Sequence, residues 1–129
     1  MGDPLIIQGG MGVGVSGWPL ARAVSRLGQL GVVSGTALDV VLARRLQLGD
    51  PEGNLRRALA RFPSSAAVSR VLTQYFLPRG KAPEEPFRGV SLFTASPTIA
   101  QQELAAIAGF VEVWLAKEGH AGLVGINFL

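Results

Sequence analysis

The sequence predicts an α/β fold in which short, buried, parallel strands alternate with helices. Two apolar runs, residues 5–7 and 30–34, have the length and composition of strands that are covered on both faces. An amphipathic helix with short connections separates them, which makes a βαβ unit with a right-handed crossover. A third run of this kind, residues 123–129, follows the longest helical segment. The 129 residues, 48% of them apolar, are enough for one globular domain.

The first strand runs into a turn, residues 9–17, that holds five glycines in nine positions. Glycine accepts positive φ angles and lets a flat ligand approach the main chain with no Cβ in the way. Loops at the carboxyl ends of parallel strands are where α/β sheets and barrels bind ligands. Because a buried-type strand enters this turn and a capped helix leaves it, the sequence favours a ligand-binding loop over a flexible linker.

Two helices flank the second strand. Ser16 or Gly17 can cap the first helix, and Pro19 suits its first turn, where the missing N–H costs nothing. Thr36 and Asp39 have the spacing of a capping box at the start of the second helix.

No strand follows the second helix. From about residue 50 to residue 120 the sequence reads as amphipathic helices and a proline-rich loop, with the longest helix opening at Ser96 and Pro97. We therefore predict one domain over residues 1–129, with a helical insertion at 50–120 between helix 2 and strand 3.

Charge and composition exclude several classes of protein. The net charge is +3, but the basic residues are scattered through the helices, which indicates solvated faces rather than a nucleic-acid surface. There are no cysteines, so disulfides and cysteine chemistry are excluded, and we predict no metal site. Asp3 stands where a signal peptide would be basic, and no apolar run is long enough to span a bilayer. We expect a cytoplasmic protein.

Residues 12–17, GVGVSG, match the dinucleotide-binding motif GxGxxG. Two features of the context argue against it. Pro19 places the start of the helix after the last glycine, whereas the motif opens the helix with its glycines. The acidic residue that should end the second strand is replaced by Ser34 and Gly35. A Rossmann dinucleotide binder stays as an alternative.

Three segments carry a resemblance to a known family. Residues 4–12 read PLIIQGGMG, residues 20–25 read LARAVS and residues 28–35 read GQLGVVSG. These segments resemble the start of the nitronate monooxygenases, formerly called 2-nitropropane dioxygenases, which open with PIIQGxM, an LAxAVS helix and a GxLG strand. Residues 125–127, GIN, are similar to the GxN of the family's third strand. The segment from about 50 to 120 departs from the compact family pattern.

The resemblance implies an FMN-dependent TIM barrel, (β/α)8, of which this chain is the N-terminal part with three of the parallel strands. It implies that Gly10, Met11 and Gly12 line the isoalloxazine ring, and that Asn127 reaches the ring or the ribityl chain. The catalytic base and the phosphate-binding glycines are expected beyond residue 129. Since the chain ends on an apolar strand, we expect it to be truncated, and the fragment alone to be inactive and to bind FMN weakly or not at all.

Four polar residues near the strands leave alternatives open. Gln8 either faces the cofactor or bonds the neighbouring strand. For Ser34 and Thr36, a strand end and a helix cap are favoured over a part in the site. His120 has GHxG neighbours like the family's base, but it precedes the third strand, so a role at the helix end is favoured over catalysis.

The function implied by the resemblance is the oxidation of alkyl nitronates with O2 by a flavoprotein monooxygenase. The flavin-dependent enoyl-acyl-carrier reductases share the QGGM opening, so an acyl-thioester reductase is the alternative enzyme. A non-catalytic module whose apolar faces are buried by a partner chain is a further alternative. The partner expected is a small nitronate or acyl substrate, with no nucleic acid or membrane, and a homo-oligomer is left open.

Overall fold

The structure, a computed structural model, describes residues 6–12, 15–91 and 95–128. Its elements in chain order are α1 (Trp18–Arg26), β1 (Gly31–Ser34), α2 (Leu38–Gln47), α3 (Asn54–Leu59), α4 (Ser65–Tyr75), α5 (Ile99–Lys117) and β2 (Val124–Asn127). The described residues thus form five helices and a two-stranded sheet, which confirms the α/β class.

The chain divides into two compact units, which are described separately. Unit 1 is Met1–Leu38 together with Gly109–Leu129, and it holds both strands. Unit 2 is Asp39–Ala108, whose described elements are helical. The predicted insertion at 50–120 overlaps unit 2, and its extent stays a prediction.

In unit 1 the strands β1 and β2 pair in parallel. The register runs from Gly31 opposite Val124 to Ser34 opposite Asn127. The predicted second and third strands are therefore neighbours in one sheet, and their carboxyl ends lie at the same edge.

The predicted first strand is only partly formed on the other side of β1. The Gln8 N–H donates to the Leu30 carbonyl at 3.0 Å, the Leu30 N–H donates to the Ile6 carbonyl at 3.1 Å, and Ile7 makes one parallel bridge to Leu30. Residues 6–8, β1 and β2 thus lie side by side in chain order. Leu5, also part of the prediction, lies outside the described residues.

The expectation that the first strand is covered on both faces is wrong for its described residues. The side chains of Ile6 and Ile7 are 62% and 66% exposed. The physical reason is that α1 packs against β1: a Cβ on Gly31 would overlap the carbonyl of Ala21 in α1. The helix therefore covers the central strand and leaves the flanking segment open.

The two faces of the sheet carry different side chains. Alternation along β1 places Val33, which is fully buried, on the same face as Gly31, towards α1. Val32 and Ser34 point to the opposite face, which we call the distal face. The register places Asn127 on the distal face beside Ser34. Every sequence-derived candidate that lies on β1 or β2 is therefore on one face.

The predicted capping box at α2 is not formed. Ala37, between Thr36 and the helix, has φ of 56°. The Asp39 carboxylate accepts from the adjacent Val40 N–H at 2.9 Å. The left-handed residue turns the chain before α2, so Thr36 does not take the N-cap position.

Side chains accept from backbone N–H groups at the starts of α3 and α4 in unit 2. Ser64 caps α4, since its hydroxyl accepts from the Ala67 N–H at 3.2 Å. The helix α3 starts later than Asp50, because the Asp50 carboxylate accepts from the Leu55 and Arg56 N–H groups at 3.1 and 3.0 Å.

The longest helix, α5, also begins later than the predicted Ser96 and Pro97. Its start is set by a reciprocal pair in which the Gln101 N–H donates to the Thr98 hydroxyl at 3.1 Å and the Thr98 N–H donates to the Gln101 side chain at 2.8 Å. This is a capping box. The helix ends at Lys117, as predicted.

Candidate ligand site at the carboxyl ends of the strands

The glycine-rich turn and the end of β2 meet at one point. The Asn127 Nδ2 atom donates to the Gly10 carbonyl at 3.2 Å. Gly10 is buried, and a Cβ on it would overlap Val32 Cγ1 and lie 3.1 Å from the Val33 carbonyl oxygen. The turn can approach the sheet this closely only because the residue is glycine. The fold therefore brings together two of the predicted cofactor-binding residues, Gly10 and Asn127, which are 117 positions apart.

Beyond Leu30, the backbone of residues 6–8 no longer pairs with the chain of β1, and the side chains of Gln8 and Ser16 bond Val32 instead. The Gln8 Oε1 atom accepts from the Val32 N–H at 3.1 Å, and Gln8 Nε2 donates to Ser16 Oγ at 2.6 Å. The Ser16 hydroxyl in turn donates to the Val32 carbonyl at 2.8 Å, and the Ser34 N–H donates to the Ser16 carbonyl at 2.8 Å. Gln8 thus bonds the neighbouring strand, which decides between the two roles that the sequence left open.

Apart from the contacts of Gly10 with Asn127 and of Ser16 with β1, the described part of the turn is largely exposed. Met11 is 63% exposed, and Gly9 and Gly12 are exposed as well. The Gly12 carbonyl accepts from the N–H groups of Val15 and Ser16 at 3.1 and 2.8 Å, which folds this part into a tight turn. Residues 13 and 14 lie outside the described residues. Open peptide groups and a soft thioether therefore lie close in sequence to the Gly10–Asn127 contact.

Two hydroxyls at the end of β1 complete this region. The Ser34 side chain is 1% exposed, and among the described residues neither its hydroxyl nor the buried hydroxyl of Thr36 has a hydrogen-bond partner. A buried hydroxyl without a partner is unfavourable and calls for an explanation. Sequence reasoning assigned both residues structural roles, and no signal in one sequence distinguishes a bonded hydroxyl from an orphaned one.

A carboxylate occupies the start of α1. The helix follows the N-cap Gly17, and the N–H of its first residue, Trp18, donates to Glu112 Oε2 at 2.8 Å. Glu112 comes from α5 and is 3% exposed. The dinucleotide motif requires the helix N-terminus to receive a pyrophosphate, and a buried carboxylate already occupies that position here. This contact argues against the Rossmann alternative, and nothing in the sequence around Glu112 signalled it.

His120 lies at the opposite end of β2, before the strand begins. Its Nε2–H donates to the Ala116 carbonyl at 2.6 Å, and its Nδ1 accepts from the Gly122 N–H at 3.0 Å. Because a carbonyl only accepts and a backbone N–H only donates, these two bonds need a proton on Nε2 and a free lone pair on Nδ1. The histidine thus links the last turn of α5 to the segment before β2, a contact at the helix end rather than at the candidate site.

A separate cleft of about 520 Å³ lies in unit 2, between α4 and the start of α5. On its rim Arg70 and Glu103 form an exposed ion pair at 2.5 Å, which lowers the pKa of Glu103 and raises that of Arg70. Tyr75 also lines it, and burial, followed by the charge of Asp39, raises the pKa of this phenol. None of the residues predicted to bind a cofactor lines this cleft.

Comparison of the chain with protein-family models, curated proteins and solved structures gave no match. Within the described ranges, no group of acidic, histidine or cysteine side chains is placed to hold a metal ion. In the same ranges, no helix is both long and apolar enough to cross a membrane.

The residues at the site fit the ring of FMN better than its phosphate. A flavin ring presents a flat apolar surface and a polar edge, and the turn supplies exposed peptide groups and Met11. A phosphate needs free N–H groups or cations, and the N-terminus of α1 is bound to Glu112. The cofactor roles of Gly10, Met11, Gly12 and Asn127 stay predictions.

Proposed function

We propose that the chain belongs to an FMN-dependent oxidoreductase similar to the nitronate monooxygenases, which oxidises alkyl nitronates with O2. The observation that carries this proposal is the hydrogen bond between Asn127 and Gly10. The two residues come from two of the segments that carry the resemblance, the PIIQGxM-like and the GxN-like one. They meet at the carboxyl ends of parallel strands, where barrels and open α/β sheets bind ligands.

The order of the strands supports a TIM barrel as the complete architecture. Residues 6–8, β1 and β2 are neighbours in chain order and parallel, and α1 packs on one face of the sheet. A barrel begins in this way, with helices outside and the opposite face inside. The distal face, with Val32 and Asn127, corresponds to the interior. A Rossmann sheet shares this strand order, but the Glu112 carboxylate at the start of α1 opposes its ligand.

In the proposed function this part of the protein binds and orients the flavin. The main chain at Gly10 and Gly12 lies against the ring, and Met11 provides an apolar contact. The Gly10 carbonyl holds the Asn127 amide in a fixed orientation, so that the amide is positioned before the cofactor binds. FMN supplies the acceptor for the electrons of the deprotonated nitroalkane.

An FMN titration of the isotopically labelled chain, followed by NMR, tests the site directly. We expect weak binding, with a Kd of about 1 mM or above, because this site holds the ring without a phosphate anchor. The chain has two asparagines, Asn54 and Asn127, so the side-chain amide spectrum separates the site from a built-in control. FMN should shift the Asn127 amide and the Gly10 and Gly12 N–H signals and leave Asn54 in place.

Matched variants sharpen this test. Asn127→Asp removes the donor to the Gly10 carbonyl and should abolish the FMN-induced shifts, whereas Asn54→Asp should preserve them. Shifts confined to unit 2, or equal in both variants, would contradict the proposed site.

The enzyme class is tested on the protein purified from the complete gene. A flavin absorption spectrum is expected, together with anaerobic bleaching by an alkyl nitronate and recovery on admission of O2. Bleaching by a nicotinamide with recovery on adding an enoyl thioester identifies the reductase instead. Absence of flavin favours the non-catalytic module, which the exposed Ile6 and Ile7 side chains would suit.

A further inference from the structure

We propose that Ser34 and Thr36 are specificity-determining residues of this site, whose hydroxyls hydrogen-bond the polar edge of a heteroaromatic ring with alternating carbonyl and N–H groups. This inference rests on the proposed function and deepens it, since the pyrimidine edge of a flavin has this chemistry. Ser34 lies in the segment 28–35 that carries part of the resemblance, but the resemblance implies no role for its hydroxyl or for that of Thr36.

The first argument is energetic. Ser34 is 1% exposed, and in the described part of the chain its hydroxyl and that of Thr36 make no hydrogen bond. Such groups are rare in native proteins, because each has lost its water without gaining a partner. An equally buried serine, Ser25, shows the usual solution, since its hydroxyl donates to the Arg22 carbonyl at 3.2 Å. Within the described residues, the two hydroxyls at the end of β1 therefore lack the hydrogen bond that normally accompanies burial.

The second argument is position. Ser34 is the register partner of Asn127, and both lie on the distal face. The Asn127 amide is bonded to the Gly10 carbonyl, so Ser34 lies beside the contact that defines the candidate site. A ligand that contacts Asn127 on this face is adjacent to Ser34.

The third argument concerns Thr36. A threonine just before a helix normally bonds the first turn, and Thr36 does not, since the left-handed Ala37 (φ 56°) separates it from α2. Left-handed geometry is unfavourable for alanine, and residues held in such conformations cluster at ligand-binding sites. The backbone is thus strained at the place where the hydroxyl is left unused.

The ligand chemistry follows from the groups present. A hydroxyl both donates and accepts, so two neighbouring hydroxyls match an edge on which acceptors and donors alternate. Neither group is charged, so the pair does not select for a phosphate. The pair therefore contributes to recognition of the polar ring edge.

The test compares Ser34→Ala, Thr36→Val and the control Ser25→Ala by NMR titration with FMN and, separately, with ribitol phosphate. Loss of one hydrogen bond should weaken FMN binding about threefold to tenfold in each of the first two variants and leave Ser25→Ala unchanged. Ribitol phosphate, which lacks the ring, should leave the Gly10 and Asn127 signals of all four proteins in place. In the absence of ligand, Ser34→Ala should have a Tm no lower than the wild type, whereas Ser25→Ala should melt earlier.

The outcomes separate this inference from the proposed function. If FMN shifts Gly10 and Asn127 in every variant with unchanged affinity, the roles of Ser34 and Thr36 are refuted and the flavin site stands. If FMN shifts neither residue in the wild type, both proposals fall. A lower Tm for Ser34→Ala without ligand would mean that its hydroxyl already has a partner, which overturns the inference.

Discussion

Replacing Gly10 by alanine perturbs the contact between the turn and the sheet. Neither Gly9 nor Gly10 has a φ in the left-handed region, so alanine changes packing at both positions without backbone strain. At Gly9 a Cβ meets no atom within 4 Å. At Gly10 it overlaps Val32 Cγ1, and Val32 is a stiff, β-branched residue that is 9% exposed. The neighbouring glycines therefore form a matched pair.

The loss of stability expected for Gly10→Ala has two contributions, overpacking against Val32 and a broken hydrogen bond. Overpacking a buried position costs about 1–3 kcal/mol, and moving the turn also breaks the Asn127–Gly10 hydrogen bond, a loss of about 0.5–1.5 kcal/mol. We expect Gly10→Ala to lower the free energy of unfolding by about 2–4 kcal/mol. Gly9→Ala should be neutral, or stabilising by about 0.5 kcal/mol through the unfolded chain.

Urea denaturation measures this difference, with a midpoint that should fall by about 1–2 M for Gly10→Ala alone. The double variant Gly10→Ala, Val32→Ala should recover part of the loss, because the second change removes the overlapping methyl group. If Gly10→Ala unfolds at the same urea concentration as Gly9→Ala, the close approach of the turn to β1 is refuted.

Three further expectations concern other contacts. Glu112→Gln should lower the free energy of unfolding by about 1 kcal/mol, measured in urea, because it removes the negative charge that caps the Trp18 N–H; no loss would refute the capping role. The raised pKa of Tyr75, due to burial and then to Asp39, means that the unfolded state releases this proton first; stability should fall above pH of about 10, and Tyr75→Phe should remove that part of the slope. Ala37→Gly should raise Tm, since glycine relieves the left-handed strain by about 1 kcal/mol; a lower Tm would refute the strain.

The parts of the fold that the sequence predicted are those set by local chemistry. Apolar runs and helix punctuation located β1, β2 and the helices, because burial and capping act within a few residues. The start of α5 was misplaced by the Ser96–Pro97 pair, although the sequence from Thr98 to Gln101 contains the capping-box spacing. That error was avoidable from the sequence alone.

The remaining differences come from tertiary contacts that no local pattern encodes. The exposure of Ile7 depends on where α1 packs, and the cap at Trp18 comes from Glu112, which is 94 residues away. The proximity of Gly10 and Asn127 was expected from the resemblance, which places both at the flavin, and from the rule that parallel strands end at one edge. Within the described ranges neither the Ser34 nor the Thr36 hydroxyl has a partner, which depends on every residue packed around them and was not predicted.

The discontinuity of unit 1 has a consequence for how the chain acquires its structure. Its two parts are separated by the whole of Asp39–Ala108, so β1 emerges from the ribosome long before β2. Closing a loop of this length costs about 4 kcal/mol of chain entropy, beyond a constant, before the strands pair. Unit 2 is continuous and mainly helical, and its contacts are available earlier. We therefore expect the helical unit to become protected from hydrogen exchange first, and the candidate site at Gly10 and Asn127 to form last.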